Sequence, residues 1–216
     1  MDKAFLLSHV DHTLLKATAS WDEIKELCKE AIEWKTASVC VPPCYVKRIR
    51  EEFGGGLRIG TVVGFPLGYD TKEAKLAAVR KAVDDGVTEI DFVINITDVK
   101  NGDFAKVTDE ISALKKEAGG HVLKVIVETC YLAEKEIIEL CRCVTVGGAD
   151  FIKTSTGFGP RGASIEDITI MKSHIGANVK IKASGGIRTR EDMEMYIKAG
   201  CSRVGASSAV KALSGY

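Results

Sequence analysis

This sequence lacks, first of all, an excess of charge of either sign: Lys and Arg number 30 and Asp and Glu number 30, so the chain carries no net charge. No overall field draws it toward nucleic acid or an anionic membrane surface, and a charged ligand has to be held locally. It also lacks any run approaching the ~18 apolar residues of a spanning helix, and its N-terminus pairs no basic segment with an apolar one. These absences predict a cytoplasmic protein with no nucleic-acid and no membrane partner. The cysteines, seven in all, are odd in number and scattered through apolar segments such as "TASVCV" and "IELCRCV", which excludes a small disulfide framework and fits reduced thiols. Three residues separate Cys40 from Cys44 and one separates Cys141 from Cys143, neither being a zinc-ribbon spacing. His9 and His12 flank Asp11, but on a short strand they face opposite ways, so no metal site is expected.

What is present is one alternation, repeated from end to end. Eight runs rich in Val, Ile and small residues ("LLSHVDHT", "TASVCV", "RIGTVVGFP", "VTEIDFVINI", "HVLKVIVET", "ADFIKTS", "NVKIKAS", "CSRVGAS") are separated by charged segments with helical spacing. Capping-box patterns mark helix starts at Ser20/Glu23, Asp70/Glu73, Ser164/Asp167 and Thr189/Asp192, and glycines mark helix stops in "DDGV", "VGGAD" and "KAGCS". Eight βα units without a linker in a chain of 216 residues predict a single (β/α)8 TIM barrel occupying 1–216 as one domain. The open doubly wound sheet is disfavoured because the first strand-to-helix loop, "DHTLLKATAS", has no G-x-G-x-x-G fingerprint.

In such barrels chemistry collects at the carboxyl ends of the strands. Alternation along "EIDFVINI" sends Ile90, Phe92, Ile94 and Ile96 under the helices and leaves Glu89, Asp91, Val93 and Asn95 facing the lumen. "LKVIVET" puts Lys124, Ile126 and Glu128 on one face, and part of this set can serve as a buried ion-pair network. Lys153 closes strand six, "ADFIK", and Lys182 lies near the end of strand seven beside it. Two ammonium groups held close and out of water disfavour each other's charge, and an amine that titrates to neutrality is a nucleophile. The chemistry this supports is Schiff-base formation with a carbonyl substrate, with Asp91 moving protons. After strands seven and eight, "SGGIRT" and "GASS" each open a helix, in the usual place for a phosphate in this fold. Gly185 and Gly186 let the backbone approach such a ligand. The substrate reading is a phosphorylated aldehyde or ketone.

These motifs, "VDHTLLK", "EIDFVINI", "VLKVIVET", "DFIKTSTGF", "IKASGGIRT" and "VGASS", in this order and across the chain, resemble the deoxyribose-phosphate aldolases. The resemblance implies a class I aldolase, needing no metal or cofactor, that interconverts 2-deoxy-D-ribose 5-phosphate with acetaldehyde and D-glyceraldehyde 3-phosphate. It implies Lys153 as the Schiff-base lysine, Lys182 as the lysine that perturbs its pKa, Asp91 as the proton relay and Asp11 as the residue orienting Lys182. It also implies a C-terminal tyrosine, Tyr216, assisting proton transfer at the carbon next to the imine. The implied substrate and phosphate contacts are Thr154, Gly185, Gly186, Gly205, Ser207 and Ser208, with Cys40 beside the site and without a chemical step. His12 is read as structural. Some members carry a lysine directly after K-T-S-T-G, where this chain has Phe158. Homodimers or higher homo-oligomers are common in the family.

Two rivals share the barrel. An isomerase working by a carboxylate base alone accounts for Asp91 and the phosphate loops but leaves the adjacent lysines without a task. A non-catalytic phosphosugar-binding barrel would use its lysines on the phosphate, yet Lys153 precedes the phosphate loops. Reductive trapping separates all three, because only an aldolase of this class forms an imine.

Overall fold

The computed structural model describes residues 1–213. Eight parallel strands close into a barrel in sequence order: β1 (Val10–Thr13), β2 (Ser38–Val41), β3 (Ile59–Val63), β4 (Glu89–Val93), β5 (Val122–Ile126), β6 (Phe151–Lys153), β7 (Lys180–Ser184) and β8 (Arg203–Ala206). The helices between them are α2 (Trp21–Glu33), α3 (Val46–Phe53), α4 (Lys72–Asp84), α6 (Phe104–Ala118), α7 (Glu134–Val146), α8 (Ile165–His174) and α9 (Arg190–Ala199), and α10 (Ala209–Leu213) follows β8. Two short helices are additional, α1 (Lys3–Leu7) before β1 and α5 (Ile96–Lys100) after β4. The TIM-barrel expectation is met. Among the described residues no helix is long and apolar enough to cross a membrane.

Alternation divides each strand between two environments. Ile90, Phe92, Leu123, Val125, Ile152 and Val204 point outward and are fully buried under the helices. The partners Asp91↔Lys124, Lys124↔Phe151, Lys153↔Lys182 and Lys182↔Arg203 are registered across neighbouring strands, so their side chains all share the other side, the lumen. A charged interior ring is therefore a consequence of strand parity and barrel closure together.

The expected element ends shift in four places. In "LLSHVDHT" the leucines are helical: Asp2 caps α1 by accepting from the Phe5 N–H at 2.7 Å, Leu6 and Leu7 are buried, and the strand starts only at Val10. The cap of α4 is Thr71, whose hydroxyl accepts from the Ala74 N–H, and not Asp70. Strand β4 ends at Val93, so Asn95 does not face the lumen; its side-chain oxygen accepts from the Thr97 N–H at 3.1 Å and caps α5, which takes up Ile96. Strand β5 ends at Ile126, and Glu128 stands beyond it with a left-handed backbone, φ 54°. A cap satisfies otherwise orphaned backbone donors, which hydrophobic periodicity does not report.

Candidate active site

Among the described residues, seven charged side chains meet in the lumen. Lys153 Nζ donates to Asp91 Oδ2 at 2.8 Å, and Lys182 Nζ donates to the same oxygen at 2.7 Å. Lys182 also donates to Asp11 Oδ2. One layer toward the strand starts, Lys124 reaches Asp91 Oδ1 at 2.8 Å, Glu89 Oε2 at 2.6 Å and Asp11 Oδ2 at 3.1 Å. Arg203 closes the group, donating to Asp11 Oδ1 and spanning both oxygens of Glu89 at 3.0 and 3.3 Å. Lys124, Lys182, Asp11 and Asp91 are withdrawn from water entirely, while Lys153 keeps 3 % exposure. That small opening matters, because Lys153 lines a pocket of about 270 Å³ at the carboxyl end of the barrel.

Surroundings of the amines set them apart electrostatically. Burial pushes the Lys153 ammonium down, Asp91 pulls it back, and Lys182 pushes it down again, so its pKa lies below the ordinary lysine value. Burial also acts against the charge on Lys182, but Asp11 and Asp91 outweigh it and raise the pKa. For Lys124 burial is outweighed further, by Asp11, Asp91 and Glu89, and its pKa lies well above the ordinary value. Asp91 is raised by burial but lowered more by Lys124, Lys153 and Lys182, and stays ionised. Asp11 is likewise held low against burial, by Lys124, Lys182 and Arg203. The arrangement presents one amine inclined to neutrality at the foot of a pocket, hydrogen-bonded to an ionised carboxylate, which is the equipment for imine chemistry.

The carboxyl ends of β1, β6, β7 and β8 and the loops after them supply the pocket wall, including Gly185, Gly186, Gly205 and Ser207 from the residues implied for substrate and phosphate. The glycines differ in what they do. At Gly185, φ 82°, a Cβ would stand 2.8 Å from the Gly162 Cα, so this residue lets two loops touch; at Gly186, φ 77°, nothing lies within 4 Å and the backbone is open toward the pocket. At Gly205 a Cβ would meet Ser184 Cβ at 3.0 Å and Lys182 Cε at 3.3 Å, so the missing side chain makes room for Lys182. Thr154 does not line the pocket: its hydroxyl accepts from the Ser184 N–H at 3.1 Å and ties β6 to β7. Ser208 is also absent from the wall, and its carbonyl accepts from Ala212 in α10. Cys40 is buried beside the lysines, and burial and Asp91 push its thiol up. Phe158 lies on the wall and meets Phe65 edge to face at 5.3 Å. His12 turns outward to Glu30 at 2.7 Å, whereas His9 Nδ1 lies 2.8 Å from the Phe5 carbonyl oxygen. Tyr216 lies outside the described residues.

Three residues were not singled out by sequence reasoning, and a fourth, Glu128, was placed on a strand face without its actual task. Lys16 and Arg188 bring positive charge to the pocket wall. Both stand inside quoted motifs, Lys16 directly after the leucines of "HTLLK" and Arg188 two residues after the glycines of "GGIRT", so their position in strand-following loops was a usable signal. Arg203 has the parity of Gly205 and was equally legible as an inward residue. Glu128, although quoted, had no such signal for its actual task, since its carboxylate accepts from the Thr156 N–H at 3.2 Å and from the Thr156 hydroxyl, fixing the loop after Lys153.

A family model for "DeoC/LacD family aldolase" matches residues 5–215. The deoxyribose-phosphate aldolase of Clostridium botulinum (strain Alaska E43 / Type E3) is 58 % identical over 215 residues, covering 100 % of this chain and 97 % of that protein. The deoxyribose-phosphate aldolase of Clostridioides difficile (strain 630) is 52 % identical over 208 residues, covering 96 % and 95 %. Among solved structures, the tetrameric deoxyribose phosphate aldolase of Aeropyrum pernix superposes with a TM-score of 0.91 at 32 % identity, covering 98 % of this chain and 91 % of that one. With its barrel, its paired lysines and matches along almost its whole length, this chain belongs to the DeoC/LacD aldolase family.

Proposed function

We propose that this protein is a class I aldolase that reversibly cleaves 2-deoxy-D-ribose 5-phosphate into D-glyceraldehyde 3-phosphate and acetaldehyde, with Lys153 as the imine-forming residue. The observation that carries the reading is the shared Asp91 oxygen: it lies 2.8 Å from Lys153 and 2.7 Å from Lys182, at the foot of the pocket. The names of the relatives support the sugar, and the lowered pKa of Lys153 supports the nucleophile.

In this mechanism the neutral Lys153 amine adds to C1 of the open-chain sugar, and uptake of one proton with loss of one water gives the protonated imine. The cation draws electrons from C2, so the C2–C3 bond breaks as the C3 hydroxyl gives its proton to a base. Asp91, ionised and within hydrogen-bond distance of both lysines, takes part in moving that proton. C3 to C5 leave as glyceraldehyde 3-phosphate; the enamine left on Lys153 is protonated at C2, and one water releases acetaldehyde. Asp11 holds Lys182 in place through its shared oxygen. Gly186, Ser207, Lys16 and Arg188 are the groups for the phosphate, with the open backbone of Gly186 and two cations meeting its charge. Tyr216 is assigned the proton transfer at C2, on the family resemblance alone. A homo-oligomer and a cytoplasmic location go with this reading, and the Aeropyrum pernix relative is a tetramer.

Incubation with acetaldehyde and borohydride, followed by peptide mass analysis, should locate a two-carbon adduct on Lys153. An adduct found only on Lys182 or Lys124 overturns the assignment. Chelator should leave the cleavage rate unchanged.

A further inference from the structure

Among the described residues the lumen holds four amine or guanidinium groups and only three carboxylates. Asp11 (β1), Glu89 and Asp91 (β4) face Lys124 (β5), Lys153 (β6), Lys182 (β7) and Arg203 (β8). The thiol of Cys40 (β2) stays protonated, held up by burial and by Asp91, and β3 contributes no charged side chain among the described residues. Arg58 and Lys180, at the strand-start end, and Lys16 and Arg188, on the pocket wall that Lys153 also lines, are exposed to solvent. Arg203 and Lys124 each cross the lumen to reach a carboxylate on the far side, β8 to β4 and β5 to β1. Lys153 has no carboxylate of its own, because its partner Asp91 is shared with Lys124 and Lys182.

We propose that Arg203 is a positioning residue for the imine-forming step: by completing three cations against three carboxylates without Lys153, it leaves that amine as the group whose proton the cluster does not need. Its guanidinium is suited to this because it stays charged at all working pH values and spans Asp11 and Glu89 with one fork. Without it, three carboxylates would face two cations in a buried space. An uncompensated buried charge is costly, and the most basic neutral group present, the Lys153 amine, would take a proton to remove it. Arg203 touches no reacting atom; it acts through Asp11 and the charge shared by the cluster.

This inference rests on Lys153 being the imine-forming amine, and trapping in the unaltered protein tests that separately. The measurement is the pH midpoint of borohydride-trapped imine formation with acetaldehyde. Arg203→Met should move the midpoint to higher pH. The trapping rate at neutral pH then falls about tenfold for every pH unit by which the midpoint rises, since the neutral fraction of the amine falls by that factor. Arg203→Lys should keep the midpoint near that of the unaltered protein. Glu89→Gln, nearly isosteric, removes one negative charge and should move the midpoint the opposite way, to lower pH. The double variant Arg203→Met/Glu89→Gln restores the charge count and should return the midpoint. A purely structural Arg203 would make both single variants lose activity without opposite movements of the midpoint, and that result overturns the proposal. Should Arg203→Met not fold, the Glu89→Gln midpoint alone decides: an unmoved or raised value rejects the charge count. An adduct away from Lys153 in the unaltered protein would instead remove the aldolase reading itself.

Discussion

The floor and the mouth of the barrel lumen each hold a buried lysine, and the pair are opposites. Lys124, on the floor, donates to three carboxylates and its ammonium is stabilised well above the ordinary value. Lys153, at the mouth, has one carboxylate that it shares, a lysine beside it, and a pKa pulled down. Burial is nearly the same for the two, 0 % and 3 % exposed, so burial alone does not set their pKa values apart. The number of carboxylates around each ammonium separates the two, and the pocket opens beside the lysine whose pKa is lowered. On the floor, desolvation is offset by excellent geometry, which makes that lysine structural.

The sharpest way to break this comparison is to remove the lysines of the mouth. Lys153→Leu should lower cleavage by roughly 10⁴-fold or more, with no recovery at any pH, because the covalent step has lost its nucleophile. Lys182→Leu takes away the cation that pushes Lys153 down, so the Lys153 pKa rises, less of it is neutral near pH 7, and the rate falls by roughly 10²–10³-fold. As pH rises through the new value the neutral amine returns, and the rate should partly recover in alkaline buffer. A pH–rate series of both variants checks the difference; identical flat residual profiles would mean that the two lysines do not divide the work in this way.

A smaller effect is expected from the chain end. Tyr216→Phe should slow both sugar cleavage and deuterium exchange into acetaldehyde by about two orders of magnitude, the usual size of a single acid–base group. Trapping on Lys153 should survive, since imine formation does not use that phenol. Exchange at the unaltered rate would remove Tyr216 from the reaction.

The smallest effect should come from the pocket wall. Arg188→Ala removes a cation at the phosphate end and should raise KM for the phosphorylated sugar by roughly 10–100-fold, the worth of one charge-assisted hydrogen bond. Cleavage of unphosphorylated 2-deoxy-D-ribose should be unaffected, and the comparison of the two sugars is the measurement. Equal losses on both sugars would show that Arg188 shapes the loop rather than binding the phosphate.

Periodicity by itself determined the eight strands, the closed barrel and the inward parity of Glu89, Asp91, Lys124, Lys153 and Lys182, because alternation on a strand is a local property of the backbone. The order of the motifs was enough to suggest the family. Only the tertiary structure decided which charges pair, since Arg203 and Lys124 find their carboxylates on strands across the lumen, far away in the chain. It also decided that Thr154 ties two strands together instead of facing the pocket, that Asn95 caps a helix, and that Glu128 leaves its strand to hold Thr156. Each of these is a hydrogen bond whose partner is chosen by where loops and caps bring donors within about 3 Å, a distance that hydrophobic pattern does not encode. The pKa of Lys153 belongs to the same class: its residue type is written at position 153, but the lowering depends on burial, on Asp91 from β4 and on Lys182 from β7.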